Sequence, residues 1–253
     1  MITSTKLQKY KKISHGFFNR NGGKSNGIYK SLNCGPGSKD NKIKIKQNLK
    51  IAKNRISTKS KNIFLVHQIH SNRFIFIDKK FKFKKKRIKA DAVITDQKRL
   101  PIAVLTADCV PILLCDKKRQ MIAAIHAGWK GAFKGIIKKV INSMKRKGCK
   151  QKDIIAAIGP CIGKKSYNVK KDFEKKFLSK NKNNKIFFNF KKDKIYFDLA
   201  NYVKSELKLN KITKIDMLNI DTFIKKNNYF SARRAITSGH DDYGRNISII
   251  MIN

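Results

Sequence analysis

The 253-residue chain holds five histidines and five cysteines. Two histidines close short apolar runs: His70 follows Ile63-Phe64-Leu65-Val66, and His126 follows Met121 to Ile125. Cys109 sits in the same kind of place, in Thr106-Ala107-Asp108-Cys109. A strand end followed by a tight turn is where α/β folds project functional side chains. Imidazole and thiolate are donors that Zn2+ prefers. Three such donors, His70, Cys109 and His126, would leave one position open for water or substrate, the pattern of a catalytic zinc. The sequence has no Cys-x-x-Cys or His-x-x-x-His pair, which argues against a closed four-ligand structural site. On residue types and positions alone a second reading stays open, a buried strand cysteine with satisfied core histidines.

Gly128-Trp129-Lys130-Gly131 follows His126 and leads into a helical pattern. A glycine turn at a helix start leaves backbone N–H groups free, which suits an anion, or it simply makes the turn. Arginine supplies a further signal. Of the 60 basic residues, 50 are Lys and only 10 are Arg. A composition that replaces Arg wherever Lys will serve should spare those arginines whose forked geometry matters. Arg20, Arg233, Arg234 and Arg245 stand out for that reason, either as anion ligands or as structural ion-pair partners.

These residues need a frame. Leu100 to Thr106, Val110 to Cys115 and Met121 to His126 read as buried strands, the last two as a hairpin across Asp116 to Gln120. Phe133, Ile136, Ile137, Val140, Ile141 and Met144 then share one helical face, and Gly148 ends that helix. Ile154 to Ile158 reads as a strand ending in a turn at Gly159-Pro160. Asp198 is placed to cap a helix carrying Leu199, Tyr202, Val203 and Leu207. Met217 to Ile220 and Ile247 to Ile252 read as strands, Asn181 to Asn184 as a loop, and the basic stretch Lys79 to Arg87 as a hairpin or loop. The alternation predicts α/β (α+β), a single domain with a mixed β-sheet and flanking helices.

Composition excludes several classes. With 41% hydrophobic residues the chain can bury a core and is not disordered. No apolar run approaches the roughly 20 residues of a membrane span. Met1 to Lys12 lacks the apolar stretch of a secretory signal, and five unpatterned cysteines fit a reducing cytoplasm. The net charge of +44 would suit a nucleic-acid-binding protein held by phosphate contacts. Ile (35) against Leu (13), 22 Asn and the excess of Lys instead suggest compositional drift, so specific nucleic-acid binding is not expected.

Taken in order, the segments resemble the YfiH family, also called the multicopper polyphenol oxidoreductase (laccase-domain) family. The resemblance rests on His15-Gly16-Phe17-Phe18-Asn19-Arg20, Ser31-Leu32-Asn33, Gln68-Ile69-His70, Ala90-Asp91-Ala92 and Thr106-Ala107-Asp108-Cys109-Val110-Pro111. It continues through His126-Ala127-Gly128-Trp129, Gly159-Pro160-Cys161-Ile162-Gly163, Tyr229-Phe230-Ser231-Ala232-Arg233-Arg234 and Gly244-Arg245, so it spans nearly the whole chain, 1–253, as one laccase-like domain. Two positions depart from the family pattern. Ser71 stands where Gly usually follows the His, and Asp221-Thr222 where many members have Cys-Thr.

The resemblance implies a zinc-dependent purine nucleoside phosphorylase. It would cleave adenosine or inosine with phosphate to base and ribose 1-phosphate, with adenosine deaminase and methylthioadenosine phosphorylase activity at the same site. The implied zinc ligands are His70, Cys109 and His126. Cys109, His126 and Asp108 would be catalytic, Asp108 moving a proton or orienting a ligand histidine, unless it only caps its turn. Arg20, Asn33, Gln68 and Arg233 would bind substrate, Arg20 clamping phosphate together with the turn at Gly128. A peptidoglycan-precursor editing hydrolase is an alternative within the family. Copper-dependent polyphenol oxidation is the other, and so few His and Cys without His-x-His pairs argue against several copper centres.

Overall fold

The computed structural model describes residues 1–83 and 86–253. In chain order the elements are α1 (Thr5–Gln8), β1 (Ile13–Phe17), α2 (Lys42–Ile56), β2 (Phe64–Leu65), β3 (Phe74–Ile77), β4 (Ala92–Thr95), β5 (Ile102–Thr106), β6 (Val110–Asp116) and β7 (Met121–Ala127). There follow α3 (Trp129–Phe133), α4 (Ile136–Arg146), β8 (Ile154–Ile158), β9 (Asn168–Val169), α5 (Lys171–Lys180), β10 (Phe188–Lys191), β11 (Lys194–Phe197), α6 (Leu199–Leu209), β12 (Lys214–Met217), α7 (Ala232–Thr237) and β13 (Asn246–Ile252).

Two mixed sheets dominate, one ordered β12-β8-β6-β7-β4-β3 and one ordered β1-β13-β5-β2; β10, β11 and β9 form a small third sheet. The period-two alternation of strand side chains sorts residues between the layers. Along β6, Ile112 and Leu114 face the helix side, whereas Leu113 and Cys115 face the other sheet. Along β13, Ile250 and Ile252 point between the sheets, whereas Ile247 and Ile249 join Ala52 of α2. The result is α2, the four-stranded sheet, the six-stranded sheet, and then α4 with α6. With both of its faces covered, the six-stranded sheet is apolar along whole strands, which is why β6, β7 and β8 are legible as unbroken apolar runs.

The hairpin of β6 and β7 forms as expected, with Pro111 opposite His126. Asp198 caps α6 by accepting from the Asn201 N–H at 3.0 Å. Three expectations are corrected. The single helix after His126 is two helices, because Gly135 takes φ +78° between α3 and α4. The strand placed at Met217 to Ile220 is Lys214–Met217, where polar Lys214 and Asp216 break the apolar signal. Residues 182–187 form a 3-10 helix capped by Asn181 rather than an open loop. Of the basic stretch Lys79 to Arg87, Lys84 and Lys85 lie outside the described residues. Phe81 and Phe83 pack edge-on against Phe64, at 5.9 and 5.8 Å between ring centroids.

Among the described residues no helix is long and apolar enough to cross a membrane. All five cysteines are free thiols.

Candidate metal centre and its cavity

The chain passes from one large sheet to the other twice near one spot, and the two crossings deliver two of the three donors. Between β2 and β3 the loop carries His70; between β5 and β6 the turn carries Cys109. The third donor, His126, sits on β7 with the parity of Ile122 and Ala124, so it points into the space between the sheets. The donor atoms of His70, Cys109 and His126 all lie within 4.8 Å of one another. Tetrahedral zinc with bonds of about 2.0–2.3 Å sets its donors roughly 3.3–3.8 Å apart, so side-chain adjustments of about an ångström suffice for one ion to be shared.

Two unusual backbone conformations shape this cluster. His70 has φ +55° and Asp108 has φ +84°, in the left-handed region that costs a residue with a Cβ. Each is held by a carboxylate. Asp91, fully buried, accepts from the backbone N–H groups of Ile69 (3.2 Å), His70 (3.0 Å) and Ser71 (2.6 Å) and from the Ser71 hydroxyl (2.6 Å). Asp108 turns away from the cluster: its carboxylate accepts from Thr222 Oγ1 (2.7 Å), Ser231 Oγ (2.9 Å) and the Arg233 N–H (2.7 Å). It thereby ties the Cys109 turn to the start of α7.

Asp91 also reaches a ligand directly. His126 Nδ1 lies 2.8 Å from Asp91 Oδ1. An ionised carboxylate only accepts, so Nδ1 carries the proton and Nε2 is left with its lone pair for a metal. Gly128 completes the cradle. A Cβ there would stand 2.8 Å from His70 Nδ1 and 2.9 Å from Cys109 Sγ, yet its backbone (φ −68°, ψ 162°) suits any residue. The glycine is required by close approach, not by conformation. The helix it opens has five residues, too short for a developed dipole.

The electrostatics distinguish Cys109 from the other thiols. Burial raises Cys115 to about 12. Burial acts on Cys109 in the same direction, but the charge and hydrogen bonds of His126, and then of His70, reverse it and bring the thiol down to about 6. Reciprocally, burial disfavours the charged form of His126, while the Cys109 thiolate and Asp91 raise it to about 9. A thiolate beside imidazole nitrogens, oriented by a second carboxylate, fits a divalent metal ion.

The trio lines a cavity of about 280 Å3, near the lower limit of small-molecule sites at roughly 300–1,000 Å3. Gln68 is in its wall, where its amide pairs with both the N–H and C=O of Leu105 at 2.8 and 2.7 Å, like an added strand residue. Arg87, Tyr243 and Arg245 also line it, and among the described residues no carboxylate does.

The other expected substrate residues lie elsewhere. Arg20 lines a second cavity, its guanidinium donating to the Lys30 and Ile28 carbonyls and lying 4.7 Å from the centre of the Phe230 ring. Arg233 lines a third beside Trp129 and Tyr167, donating to the Asn168 carbonyl at 2.9 Å. Asn33 is fully buried; its Oδ1 accepts from Gly35 and Arg245 N–H groups, and its amide donates to Ser38 and Asp40. Asp91 is the main functional residue that the sequence alone does not point to. Its one signal is a carboxylate between two alanines at the start of the apolar run Ala92-Val93-Ile94.

The family described as multi-copper polyphenol oxidoreductase laccase matches residues 14–253. A Rickettsia conorii protein named purine nucleoside phosphorylase is 37% identical over 191 residues, covering 75% of this chain and 77% of its own. One of the same name from Bacteroides thetaiotaomicron is 30% identical over 266 residues, covering 100% of this chain and 96% of its own. The crystal structure of the Bacillus licheniformis protein YfiH superposes with a TM-score of 0.87 at 27% identity, covering 98% of this chain and 95% of that one. The chain belongs to the YfiH family of laccase-like, multi-copper polyphenol oxidoreductase proteins.

Proposed function

We propose that this protein is a zinc-dependent purine nucleoside phosphorylase, converting adenosine or inosine and phosphate to free base and ribose 1-phosphate. The observation that carries the reading is the convergence of His70, Cys109 and His126 on a cavity of about 280 Å3 that, among the described residues, presents arginine and no carboxylate. Relatives named purine nucleoside phosphorylases support the choice of substrate.

His70, Cys109 and His126 would hold the ion. Zinc with an open position supplies Lewis acidity and a strongly acidified water at neutral pH. The chain's own residues do the rest. Asp91 fixes His126 with its Nδ1 protonated and holds the His70 turn. Asp108 serves the reaction by anchoring the Cys109 turn to Thr222, Ser231 and Arg233. Gln68 closes the wall against Leu105, and Asn33 fixes the backbone of Arg245. Arg20 and Arg233, bonded to carbonyls outside this cavity, act as positioning residues for its neighbouring walls. Copper oxidation would have one three-donor group to draw on among the described residues, where several copper centres are needed. Free thiols throughout suit action in the cytoplasm.

Adenosine deamination and methylthioadenosine cleavage belong to the same reading. Incubation with adenosine, inosine or methylthioadenosine, with and without phosphate, separates these reactions by chromatography of the products. Phosphate-dependent release of adenine or hypoxanthine with ribose 1-phosphate is expected. Failure to cleave any nucleoside, together with hydrolysis of a UDP-muramoyl-serine precursor, would move the protein to cell-wall editing.

A further inference from the structure

Five arginines lie in or beside the site region, and they differ in what their donors already do. Arg234 gives its guanidinium to the carbonyls of Thr222, Phe223 and Tyr229. Arg20 and Arg233 are likewise bonded to main-chain carbonyls, and neither lines the cavity of the three metal donors. Arg245 and Arg87 do line it, Arg87 from an exposed position and Arg245 from a half-buried one.

The Arg245 fork is held ready and only partly used. The backbone N–H of Arg245 donates to Asn33 Oδ1 at 2.9 Å. Its Nη1 donates to the Tyr243 carbonyl at 2.8 Å and lies 3.5 Å from Asp242 Oδ1. The guanidinium stacks 4.6 Å from the centre of the Tyr243 ring. Gly35 passes so close beneath the stem that a Cβ there would meet Arg245 Cδ at 2.5 Å. Nε and Nη2 have no acceptor among the described residues. A pre-positioned guanidinium with a free edge, in a cavity lined by no carboxylate among the described residues, is built to receive a tetrahedral oxyanion through two parallel hydrogen bonds.

We propose that Arg245 is the phosphate-binding residue of this site, taking inorganic phosphate on Nε and Nη2, with Asn33, Gly35 and Tyr243 as its positioning residues. That the anion is a co-substrate rests on the phosphorylase reading; that Arg245 holds it does not.

The test is calorimetric titration of inorganic phosphate into the purified, metal-loaded protein, alongside steady-state turnover of adenosine. Arg245→Gln should weaken phosphate binding at least tenfold and raise the KM for phosphate similarly, with the KM for adenosine within twofold. Arg245→Lys keeps the charge and the stem against Gly35 but lacks the fork, and should lose several-fold. Lys139→Gln on α4, which removes one charge away from the cavity, should change nothing. Phosphate affinity within twofold of the parent in Arg245→Gln, an equal loss in Lys139→Gln, or no phosphate binding by the parent would overturn the assignment. Phosphate binding that depends on Arg245 without any nucleoside turnover would uphold it and remove the phosphorylase reading instead. Turnover whose phosphate KM ignores Arg245 would do the reverse.

Discussion

Asp91 and His126 meet at 2.8 Å, carboxylate to Nδ1, and the same buried carboxylate receives the backbone N–H of His70. One side chain thus orients one candidate metal donor and holds the turn that presents another. Partners of this kind commonly contribute about ten- to a hundredfold to metal affinity.

Asp91→Asn follows directly. The amide can donate to Nδ1, which would turn the histidine to the wrong tautomer, and it accepts fewer of the turn's N–H groups. Zinc affinity, read by competition with a chromogenic chelator, should fall by roughly ten- to a hundredfold while the fold persists. Unchanged affinity would remove Asp91 from the centre.

Two glycines give a contrast that separates sterics from conformation. Gly128→Ala has a permissive backbone but places its Cβ against His70 Nδ1 and Cys109 Sγ. It should therefore lose metal content with little loss of stability. Gly135→Ala has open space around it but φ +78°, so it should cost about 1 kcal/mol of stability and leave metal content intact. Chemical denaturation and metal analysis of both variants check the pair.

Metal-free protein should reveal the thiolate. Cys109 lies at about 6, whereas burial holds Cys115 and Cys149 up at about 12 and raises Cys34 and Cys161 further still. Iodoacetamide at pH 7 should modify Cys109 alone, with a rate midpoint near pH 6, and zinc should protect it. A midpoint near the ordinary thiol value of about 8.5 would contradict the charge arrangement.

The acid limb of stability should carry the mark of His15. Burial pushes its pKa down to about 4, and its Nε2 accepts from the Ser4 N–H at 2.9 Å. The unfolded chain takes up that proton near 6.5 and the folded one only near 4. Stability contributed by neutral His15 is therefore present above 6.5 and lost as pH falls toward 4, by at most about 1.4 kcal/mol per pH unit. His15→Gln, which keeps an acceptor without a titration, should flatten this stretch of the stability curve. An identical slope in both proteins would exclude His15 as its source.

Much of the centre was legible because its donors end apolar strands: His126 and Cys109 border runs whose burial on both faces leaves an unbroken hydrophobic signal. Asp91 stands within a motif, yet nothing local points to its role, since it pairs with a residue 35 positions away and no spacing announces the contact. The arginines show the same limit. Composition singled out Arg20 and Arg245 alike, and only the fold separates them, by returning β13 beside β5 and so bringing Arg245 to the cavity wall. The layering also lay beyond periodicity. β5 resembles β6 and β7 in composition, yet it pairs with β13 in the other sheet, a long-range choice that no apolar run records.

The central claim is that one metal ion held by His70, Cys109 and His126 supports nucleoside cleavage by phosphate. The most direct test measures zinc per chain and phosphate-dependent adenosine cleavage in the parent and in Cys109→Ala. The parent should carry about one zinc and release adenine only with phosphate; the variant should lose both while remaining folded. A Cys109→Ala protein that keeps full activity, or a parent that turns over undiminished after its metal is stripped, would contradict the account.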